Sequence, residues 1–402
     1  MKTEMRKRWW TGAAKRMLAL ALCGLCLPAQ ANTTLAQANV EPGVESAAPI
    51  QLTPAPALGQ APAVPRARLS VQLPGRSDAF RSAAEAVQAG LRAAHERDPG
   101  DIRLDIAATG DNQQEIVSSY RAATADSDII IGPLPRSGVT AVSKSGAVNR
   151  PTIALSQTDA ASADLPWQLL AIGLSVEDEA RQAARWAAAE QKERKAIVIA
   201  TGAARSQRAA RAFASQWQAE GRSAEVVELP ASGGVFSAQE VTQMKRAIGN
   251  GRDSLLFAPL TLAQARQARA VLGNGLPMYA TSQMNEGGAA DSDPQAAAVL
   301  NGVRLLDIPW LLQRDHPAVM IYPRRAVPVD TQPDADMERL YALGIDAYRI
   351  AYEMAKRRSE FELDGVTGRL TVRYEAATRR FERTLQPAVW RDGTVVPLQE
   401  NR

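Results

Sequence analysis

The architecture can be predicted from residues 69–107, which read LSVQLPGRSDAFRSAAEAVQAGLRAAHERDPGDIRLDIA. An apolar run at each end (69–73 and 102–107) encloses a stretch with helical spacing, which is typical of a strand–helix–strand unit. The alternation continues with strands predicted at 128–131 and 152–155 and with helices predicted at 78–97, 112–124 and 136–147. Because strands that alternate with helices form parallel sheets, this region is predicted to be a βαβαβαβ unit.

A second series of the same kind follows. Its strands are predicted at 168–173, 195–200, 224–228, 254–258 and 277–280, and its helices at 176–191, 205–221, 238–249 and 262–272. Ser175 precedes the first of these helices as an N-cap, and Glu177, Asp178 and Glu179 place negative charge at the positive end of the helix. Two successive Rossmann-like units predict an α/β protein with two lobes, each built on a parallel sheet.

The order changes after residue 300. An apolar run at 303–312 is followed by a proline-rich passage at 317–333 and a long helix at about 336–358. The helix carries apolar residues at helical spacing, which predicts one buried stripe: Met337, Leu340, Tyr341, Gly344, Tyr348, Ala351, Tyr352 and Ala355.

The C-terminal region is predicted to form β-hairpins. Gly368–Tyr374 is expected to pair with Arg380–Leu385, and Ala388–Arg391 with Thr394–Leu398 across the Asp392-Gly393 turn. With this region included, the predicted lobes are residues 67–173 with 307–362, and residues 174–306 with 363–402.

The first 31 residues are typical of a secretory signal. A cationic stretch ends at Arg16, an apolar run covers 17–27, and Ala29-Gln30-Ala31 predicts cleavage after Ala31. The apolar run is about 11 residues, whereas a membrane-spanning helix needs about 20. Residues 32–66 contain six prolines and predict a disordered linker. Export to the periplasm is expected.

Charge and cysteine content narrow the function. Six of the 47 Lys/Arg and one of the 43 Asp/Glu lie in residues 1–31, so the rest of the chain has a net charge of −1 and gives no electrostatic case for nucleic-acid binding. Both cysteines, Cys23 and Cys26, lie in the apolar run. A lipid-acceptor cysteine needs a small residue before it, and leucine precedes both, so an outer-membrane lipid anchor is not expected.

The sequence lacks the motifs of the common hydrolytic and metal enzymes. The predicted mature chain has two histidines, His95 and His316, each without a second ligand at metal-binding spacing. No nucleophile elbow, phosphate-binding loop or dinucleotide fingerprint is present. The acids Asp291 and Asp293 lie in a loop without the glycine and terminal glutamate of a calcium loop. We therefore expect a protein that is not an enzyme and that carries no cofactor or metal.

A ligand cleft is expected between the two lobes, because ligands of parallel α/β sheets bind beyond the carboxyl ends of the strands. The residues that follow predicted strands and offer hydroxyl, amide or close backbone groups are the candidate site for a small polar ligand: Pro133, Ser137, Ser156, Gln157, Thr158, Tyr279 and Ser282. Each of them could equally serve only to cap the following helix.

The order of motifs resembles two nested families. Ile131-Gly132-Pro133 and Ser156-Gln157-Thr158, each at a strand end, resemble the cleft segments of the type 1 periplasmic-binding fold. A longer ordered set resembles the C-terminal domain of the LppC-like family of penicillin-binding-protein activators: LSVEDEARQAA (174–184), MYATS (278–282), LNGV (300–303) with DIPW (307–310), RLYALGIDAY (339–348), DGVTGRL (364–370) and GTVVPL (393–398).

The resemblance implies a bilobed fold and a role in the cell envelope. Members of this family are lipoproteins that stimulate bifunctional peptidoglycan synthases, so a penicillin-binding protein is the expected partner. Two features differ from the family pattern: the N-terminal helical-repeat domain is replaced by the 35-residue linker, and a lipid-acceptor cysteine is not found. The alternative hypothesis is a periplasmic solute-binding protein whose lobes close on a small polar ligand.

Overall fold

The computed structural model describes residues 67–159, 164–191, 195–251, 253–287, 294–325, 334–376 and 378–399. Several predictions fall outside these ranges. They are the signal segment with its cleavage after Ala31, the linker 32–66, both cysteines, the loop acids Asp291 and Asp293, and residues 326–333 of the proline-rich passage.

The first sheet has five parallel strands in the order β2-β1-β3-β4-β5. The strands are β1 (Ala67–Leu73), β2 (Ile102–Ala108), β3 (Ile129–Ile131), β4 (Thr152–Ala154) and β5 (Leu169–Ala171). Helices α1 (Arg81–Arg97), α2 (Gln113–Asp126) and α3 (Arg136–Lys144) connect them. The strand predicted at 168–173 was grouped with the second series of strands, although the predicted lobe 1 (67–173) includes it; as β5 it pairs with β4 and is the last strand of this sheet.

The second sheet has seven strands in the order β15-β14-β10-β9-β8-β6-β7. The strands are β6 (Lys195–Ala200), β7 (Ala224–Glu228), β8 (Ser254–Ala258), β9 (Met278–Ala280), β10 (Arg304–Asp307), β14 (Gln386–Arg391) and β15 (Thr394–Pro397). Its helices are α4 (Val176–Glu190), α5 (Ala204–Ala219), α6 (Ala238–Ile248), α7 (Leu262–Leu272) and α8 (Pro294–Ala298). The predicted hairpin across Asp392-Gly393 is confirmed as β14–β15, which joins the sheet antiparallel to β10.

A third, antiparallel sheet consists of β11 (Glu360–Gly365), β12 (Gly368–Arg373) and β13 (Arg380–Thr384). The predicted pairing of the last two strands is confirmed, with Arg369 opposite Thr384. Phe361, Leu370 and Val372 are buried in the same core as β1 of the first sheet. Residues 363–384 therefore pack with the first sheet and not, as the predicted lobe boundary had it, with the second. The alternation of apolar residues shows that one face is buried but does not show which core buries it.

Helix α11 (Ala335–Ala355) lies in the core of the first sheet, together with residues of the short helices α9 (Pro309–Leu312) and α10 (Pro317–Met320). The predicted stripe is partly buried as expected, since Tyr341, Gly344, Tyr348 and Ala351 are enclosed. The burial extends further than one stripe, because the positions between them are also enclosed: Ala342, Leu343, Ile345, Ala347 and Ile350. Helix α1 and the third sheet both pack against this helix.

The two larger sheets define two lobes. Lobe 1 comprises the five-stranded and three-stranded sheets with α1–α3 and α9–α11, and lobe 2 comprises the seven-stranded sheet with α4–α8. Among the elements that the structure describes, the chain crosses between the lobes three times, after β5, after β10 and after β13. Three crossings place the carboxyl ends of the parallel strands of both sheets on either side of one cleft.

Candidate functional site: the interlobe cleft

The cleft between the lobes encloses about 1140 Å³. Its walls carry charged side chains from the first turns of four helices, α3, α4, α5 and α11, which begin near the carboxyl ends of the strands. The residues that matter most are Arg136 and Ser156 from lobe 1, Glu177, Glu179, Arg205, Arg208, Ser282 and Asp307 from lobe 2, and Asp336 and Arg339 from α11.

The structure brings two of the predicted site residues, Ser156 and Ser282, to the cleft wall. Pro133 is buried, Ser137 is exposed on the first turn of α3, and Gln157 is half-buried; none of the three lines the cleft. Thr158 lies 3.1 Å, hydroxyl to hydroxyl, from Thr140 of α3, which is a contact within lobe 1. The predicted set therefore does not form one continuous surface.

Tyr279 was wrongly predicted as a cleft residue. It lies in the middle of β9 and is fully buried, with its ring edge-on to Trp186 at 5.4 Å between centroids. Its hydroxyl donates a hydrogen bond to Glu190, the last residue of α4, at 2.5 Å. Side chains alternate between the two faces of a strand, and this one points into the layer between sheet and helix.

Arg339 is the most connected residue of the cleft. Its guanidinium donates to both carboxylate oxygens of Asp307, at 2.7 and 3.1 Å, and to the backbone carbonyls of Ser282 and Asn285, each at 2.8 Å. Asn285 in turn donates to Asp307 at 2.8 Å. We call these four residues the Arg339 cluster. Burial opposes the charge on Arg339, but Asp307 holds its pKa above the ordinary value for arginine.

Glu179 lies beside the Arg339 cluster, in the first turn of α4. The residue is 5% exposed, and its carboxylate accepts hydrogen bonds from the backbone N–H and the hydroxyl of Ser282. Burial raises the pKa of Glu179 to about 7, and the nearby Asp307 acts in the same direction, whereas the Ser282 donors and Arg205 act in the opposite one. The carboxyl therefore titrates near neutral pH.

A second set of ion pairs spans the mouth of the cleft. Arg136 of lobe 1 contacts Glu177 of lobe 2 at 3.0 Å, and Arg208 contacts the same carboxylate oxygen from α5 at 3.1 Å. Arg205 approaches Asp336 of α11 at 3.9 Å. These groups are more exposed than the Arg339 cluster, so each pair is worth about 1 kcal/mol or less.

The chain crossings are also tied together. Arg383, at the end of β13, donates to the carbonyls of Ile172 and Gly173 at 2.8 and 3.1 Å, which joins the third crossing to the first. Gln182 of α4 donates to the carbonyl of Arg383 and accepts from the N–H of Leu385. Helix α4 of lobe 2 therefore binds the third crossing through a backbone carbonyl and a backbone N–H of that segment.

Glu179 and Arg339 were not predicted as cleft residues, although Glu179 was identified as an acid at the positive end of its helix. Glu179 follows Val176 by three residues and precedes Ala183 by four, so it lies on the apolar face of α4, and a charged residue on such a face is a signal for a buried polar contact. The partners of Arg339 in lobe 2 lie 32, 54 and 57 positions away along the chain. No local pattern could indicate that contact.

The charged side chains at the centre of the cleft bind one another. Each charged group of the Arg339 cluster has its partners within the protein. Within the ranges that the structure describes, no group of three or more His, Cys, Asp or Glu side chains is close enough to hold a metal ion. No helix in the described part of the chain combines the length and the hydropathy that a bilayer crossing requires.

Two α/β lobes joined by three crossings around a cleft define the type 1 periplasmic-binding fold, and solved structures share it. A chain from Chromobacterium violaceum described as a "putative branched-chain amino acid ABC transporter" superimposes with a TM-score of 0.64 at 36% identity, over 80% of this chain and 99% of that one. The C-domain of LpoA from Haemophilus influenzae, described as a regulator of PBP1A, gives 0.66 at 23% identity, over 83% of this chain and 100% of the domain.

Sequence comparison gives the family. The model described as "LppC putative lipoprotein" matches residues 29–393. The chain belongs to this family, as the resemblance in its motifs predicted. A curated relative, the penicillin-binding protein activator LpoA of Serratia proteamaculans, is 27% identical over 316 residues, which cover 67% of this chain. The match spans 44% of the length of that relative.

Proposed function

We propose that this chain is a non-catalytic regulator in the cell envelope that binds a penicillin-binding protein, a bifunctional peptidoglycan synthase, and raises its activity. The observation that carries the proposal is the family match, which runs through both lobes to residue 393 and whose curated relatives are named as activators. The pairing of Arg339 with Asp307 supports it, because these two buried charges of the cleft are bound to each other and are not left to hold a ligand.

The proposal is tested by adding the purified full chain to a purified bifunctional synthase and measuring glycan polymerisation and peptide cross-linking. We expect both binding and a concentration-dependent rise in one of the two activities. The matched control is the leucine-binding protein of Thermotoga maritima, which has the same fold (TM-score 0.54, 16% identity). The proposal would be contradicted if the synthase showed equal polymerisation and cross-linking activity with either protein. It would also be contradicted if the chain associated with no synthase in an envelope extract.

The location of the protein is part of the proposal. Export through residues 1–31 with cleavage after Ala31 would release a chain that begins at Asn32 in the periplasm and carries no lipid. Intact-mass measurement of the exported protein tests this. A mass increased by a diacylglyceryl group on Cys23 or Cys26 would instead place it among anchored lipoproteins, as the family description has it.

Solute binding is the alternative function. It is favoured by the 36% identity to the Chromobacterium violaceum chain and by the size of the cleft. A ligand at a hundredfold excess over its Kd would stabilise the folded protein by about 2.7 kcal/mol, which a thermal melt detects. We expect no such shift from a panel of amino acids and other small polar metabolites. A saturable shift with one of them would favour this alternative.

A further inference from the structure

We propose that the two lobes are locked to each other by the chain's own side chains, with Arg339 as an internal ligand of the cleft, so that the lobes do not open and close. This inference concerns the mechanics of the fold and does not depend on the proposed function.

The first argument is the origin of the partners of Arg339. The residue belongs to α11, which packs in the core of lobe 1. Apart from Asp336 on its own helix, the acceptors of its guanidinium belong to lobe 2: the carbonyls of Ser282 and Asn285 and the carboxylate of Asp307. Lobe opening would separate Arg339 from every one of these lobe 2 acceptors.

The second argument is the burial of these groups. The side chain of Arg339 is 7% exposed and that of Asp307 is 1% exposed. Removing one partner from a buried ion pair strongly destabilises the folded state, because it leaves an uncompensated charge in the interior. An open conformation could recover this energy only by admitting water to both charges, which favours the closed arrangement.

The third argument concerns the segment after β9 that contains Ser282 and Asn285. Arg339 of lobe 1 and Glu179 of lobe 2 both bind this segment. Ser282 offers its carbonyl to Arg339 and its N–H and hydroxyl to Glu179. The segment therefore cannot move with Arg339 when the lobes separate, since Glu179 fixes it to α4. The guanidinium would have to leave the segment, and the bonds would break.

The fourth argument is the bracing of the crossings and of the mouth. Arg383 binds the first crossing, Gln182 binds the third, and Glu177 joins Arg136 to Arg208 across the mouth. Hinge motion requires crossing segments that can change their backbone angles independently. Segments hydrogen-bonded to one another and to α4 resist such a change.

The lock is tested by measuring a distance across the cleft in the full chain. Spin labels are placed at Gln114→Cys in lobe 1 and Gln239→Cys in lobe 2, both exposed, with Cys23 and Cys26 replaced by serine. Double electron–electron resonance then gives the distribution of distances. We expect one narrow distribution for the otherwise unchanged protein, and a distribution that is broader and shifted to longer distances for Arg339→Gln.

The matched control is Arg222→Gln. Arg222 also donates to two backbone carbonyls, those of Ala188 and Gln191, but both belong to lobe 2. We expect this variant to keep the narrow distribution, and Arg339→Lys to fall between the two glutamine variants. A broad or two-component distribution in the unsubstituted protein would overturn the proposal even if Arg339→Gln did not fold. So would an Arg339→Gln distribution identical to that of the control.

Discussion

Glu179 gives the protein a pH dependence of stability with a definite sign. Its pKa is about 7 in the folded chain, raised from 4.5 mainly by burial. The folded state therefore holds this proton more tightly than the unfolded state, and the stabilisation is complete below about pH 4.5. It is lost as the pH rises to about 7, where the buried carboxyl ionises, and at about 1.4 kcal/mol per pKa unit the loss is on the order of 3 kcal/mol.

This prediction is checked with Glu179→Gln, which keeps the size of the side chain but cannot ionise. The free energy of unfolding is measured by urea denaturation from pH 4.5 to 7.5 for both proteins. Two other carboxyls change the stability in the opposite direction as the pH rises. The Gly110 N–H lowers the pKa of Glu115, and the Ser237 hydroxyl lowers the pKa of Glu240. Both groups are present in the variant as well, so their effect cancels in the comparison. We expect the unsubstituted protein to lose stability relative to the variant as the pH rises; a constant difference would refute the prediction.

The packing of α1 against α11 depends on two glycines. A Cβ atom at Gly344 would lie 2.2 Å from the carbonyl oxygen of Val87, and one at Gly90 would lie 1.9 Å from that of Tyr341. The obstructing atoms are backbone, so no side chain can rotate away. The helices must therefore separate to admit a methyl group.

Gly344→Ala is accordingly expected to destabilise the protein by about 1–3 kcal/mol as an overpacked core position, although alanine favours an isolated helix by about 1 kcal/mol over glycine. Chemical denaturation checks the value. The control is Gly233→Ala, because a Cβ there would meet no atom within 4 Å, and we expect it to change stability by less than about 0.5 kcal/mol. Equal stability of the two variants would show that the helices can shift without cost.

The elements themselves were largely predictable, because their signals are local. The periodicity that predicts helices at 176–191 and 262–272 and strands at 195–200 and 254–258 needs no distant residue, and the structure confirms these elements to within a residue. The partners of an element are not encoded locally. The predicted boundary at residue 173 placed β5 in lobe 1, but the sequence could not show that the hairpin strands β12 and β13 also pack on lobe 1.

The site was predicted less completely for the same reason. Ser156 and Ser282 were found because they follow strands, and strand ends meet at a cleft in this fold. The prediction for Tyr279 was wrong because strand β9 continues past this residue, so its side chain points into the layer between the sheet and the helix. The Arg339 cluster combines residues 282, 285, 307 and 339, which only the folded chain brings together.

The three crossings and the Arg339 cluster predict that the two lobes unfold together. A single cooperative unit of the size of residues 67–399 has an unfolding enthalpy of about 230 kcal/mol near 60 °C, and two independent lobes would each show roughly half of that. We expect scanning calorimetry of the full chain to give one transition whose van 't Hoff enthalpy equals the calorimetric enthalpy. Arg339→Gln should lower the van 't Hoff value below the calorimetric one, because the covalent crossings alone do not force the lobes to unfold at the same temperature. Two resolved transitions in the unsubstituted protein would mean that the buried pair of Arg339 and Asp307 does not couple the lobes.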